Sequence, residues 1–156
     1  MNISPHFTLA EAIKSQTALR KGIDNRPDEM ALTALKLTAE HILEPCRNHF
    51  ARPFSPSSWY RGLELNRAIG SSDRSQHVKG QAVDFEIPGI SNIELARHIA
   101  DNLDFDQLIL EFWVDGNPTA GWVHCSYVGP GQNRRDVLTY DGQHYSPGFP
   151  GEIMQA

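Results

Sequence analysis

Between Pro27 and Pro45 the apolar residues fall at Met30, Leu32, Leu35, Leu37, Ala39, Ile42 and Leu43. That spacing follows the helical period rather than alternation and predicts a long helix opened by Pro27 and Asp28. Pro45 has no amide hydrogen, so it kinks this helix or ends its regular part. A shorter helix is predicted over Leu9, Ala10, Ala12 and Ile13, with Thr8 as cap and Glu11 at the third position of a capping box. Ala18 to Arg26 is polar and reads as turn. After the breaker-rich Arg52-Pro53-Phe54-Ser55-Pro56, Ser57 to Asn66 reads as extended, Gly70 to Gly80 as a polar loop, and Ala82 to Ile87 as a short strand. Asn92 to Leu103 is an amphipathic helix carrying Ile93, Leu95, Ala96, Ile99 and Leu103 on one face. Phe105 to Val114 and Gly121 to Val128 form a hairpin about Asp115-Gly116-Asn117-Pro118. From Gly129 the chain is rich in Gly, Pro, Asp and Gln, which makes roughly the last 25 residues mostly surface loop. No repeat, low-complexity tract or linker interrupts residues 1–156, so one domain is expected. Its fold class is α+β: a small, mainly antiparallel sheet with helices packed on one side and a cleft over the sheet.

Composition narrows the function. With 40% hydrophobic residues, 21% charged and 156 residues in all, the chain can bury a core without staples. A formal charge of −5 argues against a nucleic-acid partner held by phosphate neutralisation. The two cysteines, Cys46 and Cys125, permit at most one disulfide and do not have the spacing of a four-cysteine zinc site. No run approaches a transmembrane span, and the first residues lack the basic and apolar regions of a Sec-type signal. Synthesis in the cytoplasm is therefore expected, and work outside it would need another route. The oligomeric state is not legible.

The chemistry concentrates in Ser75-Gln76-His77-Val78-Lys79-Gly80-Gln81-Ala82-Val83-Asp84 and in Gly121-Trp122-Val123-His124-Cys125-Ser126. The first segment offers an imidazole on a loop, a glycine that permits close backbone approach, and a carboxylate aimed by a strand. The second offers another imidazole on a strand. Two imidazoles and one carboxylate are an ordinary ligand set for catalytic zinc, with a fourth position left for water. Spacing alone carries little weight, since each of these side chains is also common on a surface or in a core.

Ser-x-His-x-x-Gly-x-Ala-x-Asp followed by Trp-Val-His resembles the signature of the D-Ala-D-Ala carboxypeptidase family of zinc peptidases, within the wider group that includes lysostaphin-type peptidases and the hedgehog signalling domain. The segments Phe105–Phe112 and Gly121–Tyr127 are similar to the small, phage-type, single-domain branch. The resemblance implies a zinc ion held by His77, Asp84 and His124. It also implies hydrolysis of a peptide bond in peptidoglycan stem or cross-link peptides, in the manner of a carboxypeptidase or an endolysin-like endopeptidase, after phage lysis or delivery within a particle. Arg61 stands where related enzymes place an arginine on the substrate; a guanidinium can fork onto a terminal carboxylate or steady charge on the scissile carbonyl. Otherwise it is a surface arginine. Ser75 and Gln76 bind substrate, orient His77, or simply cap the loop. Trp122, with Trp113 and Tyr127, lines a substrate groove or belongs to the core. His6, His41, His49, His98 and His144 match no motif.

The chain departs from the resemblance at the general base. Many relatives carry an acid three positions before the last zinc histidine, and here that position is Gly121. This absence favours the rival reading, a non-catalytic zinc-containing binding or assembly module of the same fold. Glu111 is the candidate replacement. One hairpin register sets it opposite His124, on the same face, whereas the register one residue away sets it opposite Val123, facing away. The alternation of Leu108, Leu110 and Phe112 supports the first, leaving Glu111 and Trp113 on the face of His124.

Overall fold

The structure is a computed structural model and describes residues 1–150. Strands β1 (Asn2–Ser4) and β2 (Phe7–Thr8) form a small antiparallel ribbon. Thr8 then opens α1 (Leu9–Ile13): its hydroxyl accepts from the Glu11 N–H, and the Glu11 carboxylate accepts from the Thr8 N–H, the expected capping box. The polar stretch expected as turn instead holds most of α2 (Gln16–Lys21), started by Ser15 and ended by Gly22 at φ +65°. Its side chains are too polar to show an apolar stripe, so periodicity gave no sign of it. Asp28 caps α3 (Glu29–Thr38). Pro45 does not end the long helix. The backbone widens into one π-helical turn, Ala39–Leu43, and continues as α4 (Glu44–Phe50). Such a bulge accommodates a proline that cannot donate to the turn before it.

The stretch expected as extended keeps that form only in part. Ser58 bridges Asp84, and the chain turns helical at α5 (Leu63–Ala68). A 3-10 turn, Gln76–Lys79, precedes β3 (Ala82–Phe85). Then follow α6 (Asn92–Asn102), β4 (Gln107–Glu111) and β5 (Trp122–Ser126). The tail corrects the expectation of loop: β6 (Asp136–Tyr140) and β7 (Tyr145–Pro147) extend the sheet. The sheet has five strands in the order β3-β5-β4-β6-β7, antiparallel except for the parallel β4–β6 pair. No helix among the described residues is long and apolar enough to cross a membrane.

Alternation sorts the side chains of the three central strands. Val83 and Phe85 of β3, Leu108 and Leu110 of β4, and Val123 and Cys125 of β5 are fully buried against Leu35, Ala39, Ile42, Leu43, Leu95 and Ile99 of the helices. Cys46 and Cys125 both lie in this core as free thiols. The alternate positions, Asp84, Ile109, Glu111, Trp122 and His124, line a cleft on the other face of the sheet. A two-residue period thus builds one greasy face and one chemical face from the same strands.

The helical layer also positions the loop above the sheet. Thr38 donates its hydroxyl to the Gly80 carbonyl at 3.0 Å. Gly80 itself sits at φ +76°, and a Cβ there would stand 2.7 Å from the Ala31 carbonyl oxygen. Both the backbone conformation and the space therefore demand glycine. Gly80→Ala is expected to cost about 1–3 kcal/mol of stability, read as a lowered melting temperature in thermal unfolding. An unchanged melting temperature would show that the turn carrying His77 is not clamped to α3.

Candidate metal centre and its cleft

His77 is 2% exposed, its backbone held by Ser75 and its ring by the Trp59 carbonyl. Ser75 caps the 3-10 turn by accepting from the His77 N–H at 3.3 Å. The His77 Nδ1 lies 2.6 Å from the Trp59 carbonyl oxygen, which can only accept, so Nδ1 carries the proton. That leaves Nε2 bare, 3.3 Å from Asp84 Oδ2. Burial lowers the pKa of His77 despite the attraction of Asp84, so the ring is neutral at neutral pH.

Asp84 and His124 are directly opposed residues of the β3–β5 ladder, which places their side chains on one face at close range. His124 Nδ1 stands 2.9 Å from Asp84 Oδ1. Burial alone would push the Asp84 carboxylate toward its neutral form; His77 and His124 outweigh it and hold the pKa below the ordinary carboxylate range. Among the described residues, His77, Asp84 and His124 form a group whose donor atoms all lie within 4.8 Å of one another. Donors on a tetrahedral zinc with bonds near 2.0–2.2 Å stand about 3.3–3.6 Å apart, against 2.9 and 3.3 Å for the two contacts of Asp84. The trio fits zinc in donor type and spacing, and at His77 in tautomer. His6 pairs with Glu44, His41 stacks on Tyr127, and His49 stacks on His98, all away from the trio.

Glu111 shares the face of His124, but through a different register from either one expected. Ile109 opposes His124 and Glu111 opposes Trp122, so Glu111 is a diagonal neighbour of the histidine rather than a direct one. The ladder stops at Glu111 because Phe112 takes φ +53° and Gly121 takes φ +70°. This reversal corrects the expected alternation beyond Glu111: Phe112 turns outward, 43% exposed, while Trp113 packs against the core. A Cβ at Gly121 would lie 1.7 Å from the Glu111 carbonyl oxygen. An acid cannot be placed at position 121 without opening the end of this hairpin. The Glu111 carboxylate makes no hydrogen bond among the described residues, and burial raises its pKa, with Asp84 adding to the rise and His124 opposing it.

One cleft of about 460 Å³ collects every residue expected to act: Arg61, Ser75, Gln76, His77, Asp84, Glu111, Trp122 and His124. Arg61 is anchored by its backbone N–H to the His77 carbonyl; its guanidinium has a long 3.5 Å contact with Ser58, and its buried Nε has no hydrogen-bond partner among the described residues. The Ser75 hydroxyl is engaged in the cap, and the Gln76 amide donates to Asp106 at 2.9 Å. Both therefore shape the loop around His77 as well as lining the cleft. Tyr127 is buried in the core instead. Arg74, Arg134 and Tyr145 also line the cleft, and sequence reasoning passed over them. Tyr145 arrives on β7, in the tail read as loop, and Arg134 is held there by Asp106. A larger hollow of about 570 Å³, among Phe54, Ile87, Ile90 and Pro118, contains none of the trio.

The family model described as Peptidase M15 matches residues 5–126, which includes the trio, Arg61 and Glu111. No curated protein matches the chain.

Metal analysis of purified protein is expected to find one zinc per chain, lost at acid pH where protonation competes with the metal; because burial lowers the pKa of His77, that ligand is lost only below the ordinary imidazole range. His77→Ala should lose most of that zinc. Full occupancy in the variant would exclude His77 as a ligand.

Proposed function

The chain belongs to the peptidase M15 family, the D-Ala-D-Ala carboxypeptidase type of zinc peptidase, and on that premise we propose that it hydrolyses a peptide bond in peptidoglycan stem or cross-link peptides. One observation carries the reading: a metal-competent trio, a carboxylate with a raised pKa and an arginine that makes no ion pair among the described residues share one cleft.

His77, Asp84 and His124 would hold zinc, which when bound supplies a Lewis acid and lowers the pKa of water to near neutral. The chain's own residues supply the rest. Glu111 takes a proton from the attacking water and returns it to the departing amine; its raised pKa brings the carboxyl toward the range where both transfers are fast. Arg61 receives a carboxylate of the peptide through its forked donors. Trp122, beside Glu111 on β5, offers a flat wall against which the peptide lies. On this proposal the protein works at the bacterial wall, reached through phage lysis or within a particle.

Walls exposed to the protein should lose turbidity, stop losing it with a chelator, and resume with added zinc. Zinc binding without lysis would favour the non-catalytic module. Glu111→Gln keeps the side-chain shape, so it should retain zinc while turnover falls by roughly two to four orders of magnitude. Near wild-type turnover would remove Glu111 from the mechanism. Arg61→Lys should impair turnover of short peptides although charge is kept, because lysine cannot form the fork; unchanged kinetics would remove Arg61.

A further inference from the structure

We propose that Phe112, Trp122, Tyr140 and Tyr145 form a sugar platform continuous with the candidate metal cleft. Its ligand is a neutral, N-acetylated pyranose of the glycan strand from which the stem peptide hangs. That the sugar is wall glycan rests on the peptidase reading above; the platform itself rests on the sheet register and on where the aromatic rings are left. Trp122 of β5 opposes Glu111 of β4, Glu111 opposes Tyr140 of β6, and Tyr140 opposes Tyr145 of β7. Opposed residues of adjacent strands share a face, so these four form one row across four strands. Trp122, Glu111 and Tyr145 of that row line the cleft itself. The row spans three strand spacings, about 14 Å, which exceeds the width of one pyranose ring. Tyr140 and Tyr145 stack with ring centroids 4.3 Å apart. The Phe112 ring stands 5.1 Å from that of Tyr140 and 5.0 Å from that of Trp122, joining the two sides of the row.

None of the four aromatic residues belongs to the hydrophobic core, and Phe112 and Tyr145 are 43% and 58% exposed. Phe112 also holds φ +53°, a region that bulky side chains rarely occupy. Here the strain turns an aromatic ring toward water rather than into the core, and strain of this kind clusters at ligand sites. The surface suits a sugar. An aromatic face is electron-rich and attracts the C–H face of a pyranose, whose hydroxyl and N-acetyl groups stay at its rim. At that rim the Tyr145 hydroxyl and the Trp122 Nε1–H make no hydrogen bond among the described residues. Burial raises the pKa of Tyr145, with Glu111 and Tyr140 adding to the rise, so the hydroxyl remains a donor. Glu111 in the middle of the row disfavours an anion. The sugar that bears a stem peptide is neutral, because its carboxyl group is consumed in the amide to the peptide. Sheet order supplies a direction. Ser58, in the segment leading to Arg61, bridges Asp84 on the side of β3 away from β5, whereas the row lies across β5, β4, β6 and β7. A peptide whose carboxyl end meets Arg61 therefore sends its amino end past the trio toward the row, and the amino end is the one joined to sugar.

The test uses zinc-loaded protein and a neutral, peptide-free probe, tetra-N-acetylchitotetraose, followed by NMR titration. The wild type should bind it, and Tyr145→Ala should weaken binding roughly 3- to 10-fold. Tyr145→Phe keeps the ring and should stay within about twofold of the wild type. Kinetics give a second readout. For the wild type, kcat/KM should be higher for a stem peptide carried on its disaccharide than for the same peptide free, and Tyr145→Ala should bring that ratio toward one. No titration of the wild type, unchanged binding in Tyr145→Ala, or a ratio of one in the wild type would overturn the platform. So would a dimer in sedimentation that Tyr145→Ala converts to monomer while the probe fails to bind, since a second copy of the chain would then be the occupant. Probe binding without cleavage of either peptide supports the platform and counts against the peptidase reading; cleavage of both peptides at equal kcat/KM without probe binding does the reverse.

Discussion

The chemical face of this protein hangs on one cross-strand pair. Asp84 on β3 and His124 on β5 are directly opposed, and a register slip of one residue would turn one of them into the helical core. What prevents the slip lies on the opposite face, where Val83 meets Cys125 and Phe85 meets Val123 in fully buried positions. The hydrophobic register therefore fixes the geometry of two polar groups that contribute nothing to the core. His77 is added by a separate device: a capped turn whose glycine docks against α3 and whose ring donates to Trp59. The metal-competent trio is thus overdetermined by packing, with its donor atoms held close together by the protein alone.

The same low-dielectric setting moves two carboxyls in opposite directions. Burial raises both, but Asp84 sits between two imidazoles that reverse the effect, whereas Glu111 has only His124 to oppose it and Asp84 to reinforce it. One group is held in its charged form and the other is shifted toward accepting a proton. Divergent environments for two nearby acids are the usual way a site divides such roles. The hairpin end leaves no room for an acid at position 121: Gly121 sits at φ +70° and is pressed on the Glu111 carbonyl, so the carboxylate in this part of the cleft comes from β4.

Much of this was legible in the sequence where the signal was local. The capping box at Thr8, the α3 periodicity and the alternation of Leu108 and Leu110 all appear in the structure. The candidate residues from Arg61 to His124 fall in one cleft. What was missed depends on distant partners. β6 pairs in parallel with β4, so no adjoining turn announces it, and its Asp136 and Thr139 dilute the apolar signal. Arg134 enters the cleft only because Asp106, far from it in sequence, holds it there. The hairpin register was misplaced because the left-handed residue Phe112 ends the ladder early, and nothing in a phenylalanine marks such a conformation.

The most direct test of the account is digestion of purified bacterial walls in ¹⁸O-labelled water, with mass spectrometry of the released muropeptides. The expected products are fragments shortened at a peptide bond, carrying one ¹⁸O atom in the new carboxylate and absent when a chelator is present. Release of fragments with intact peptides, or no release by the zinc-loaded protein, would contradict it.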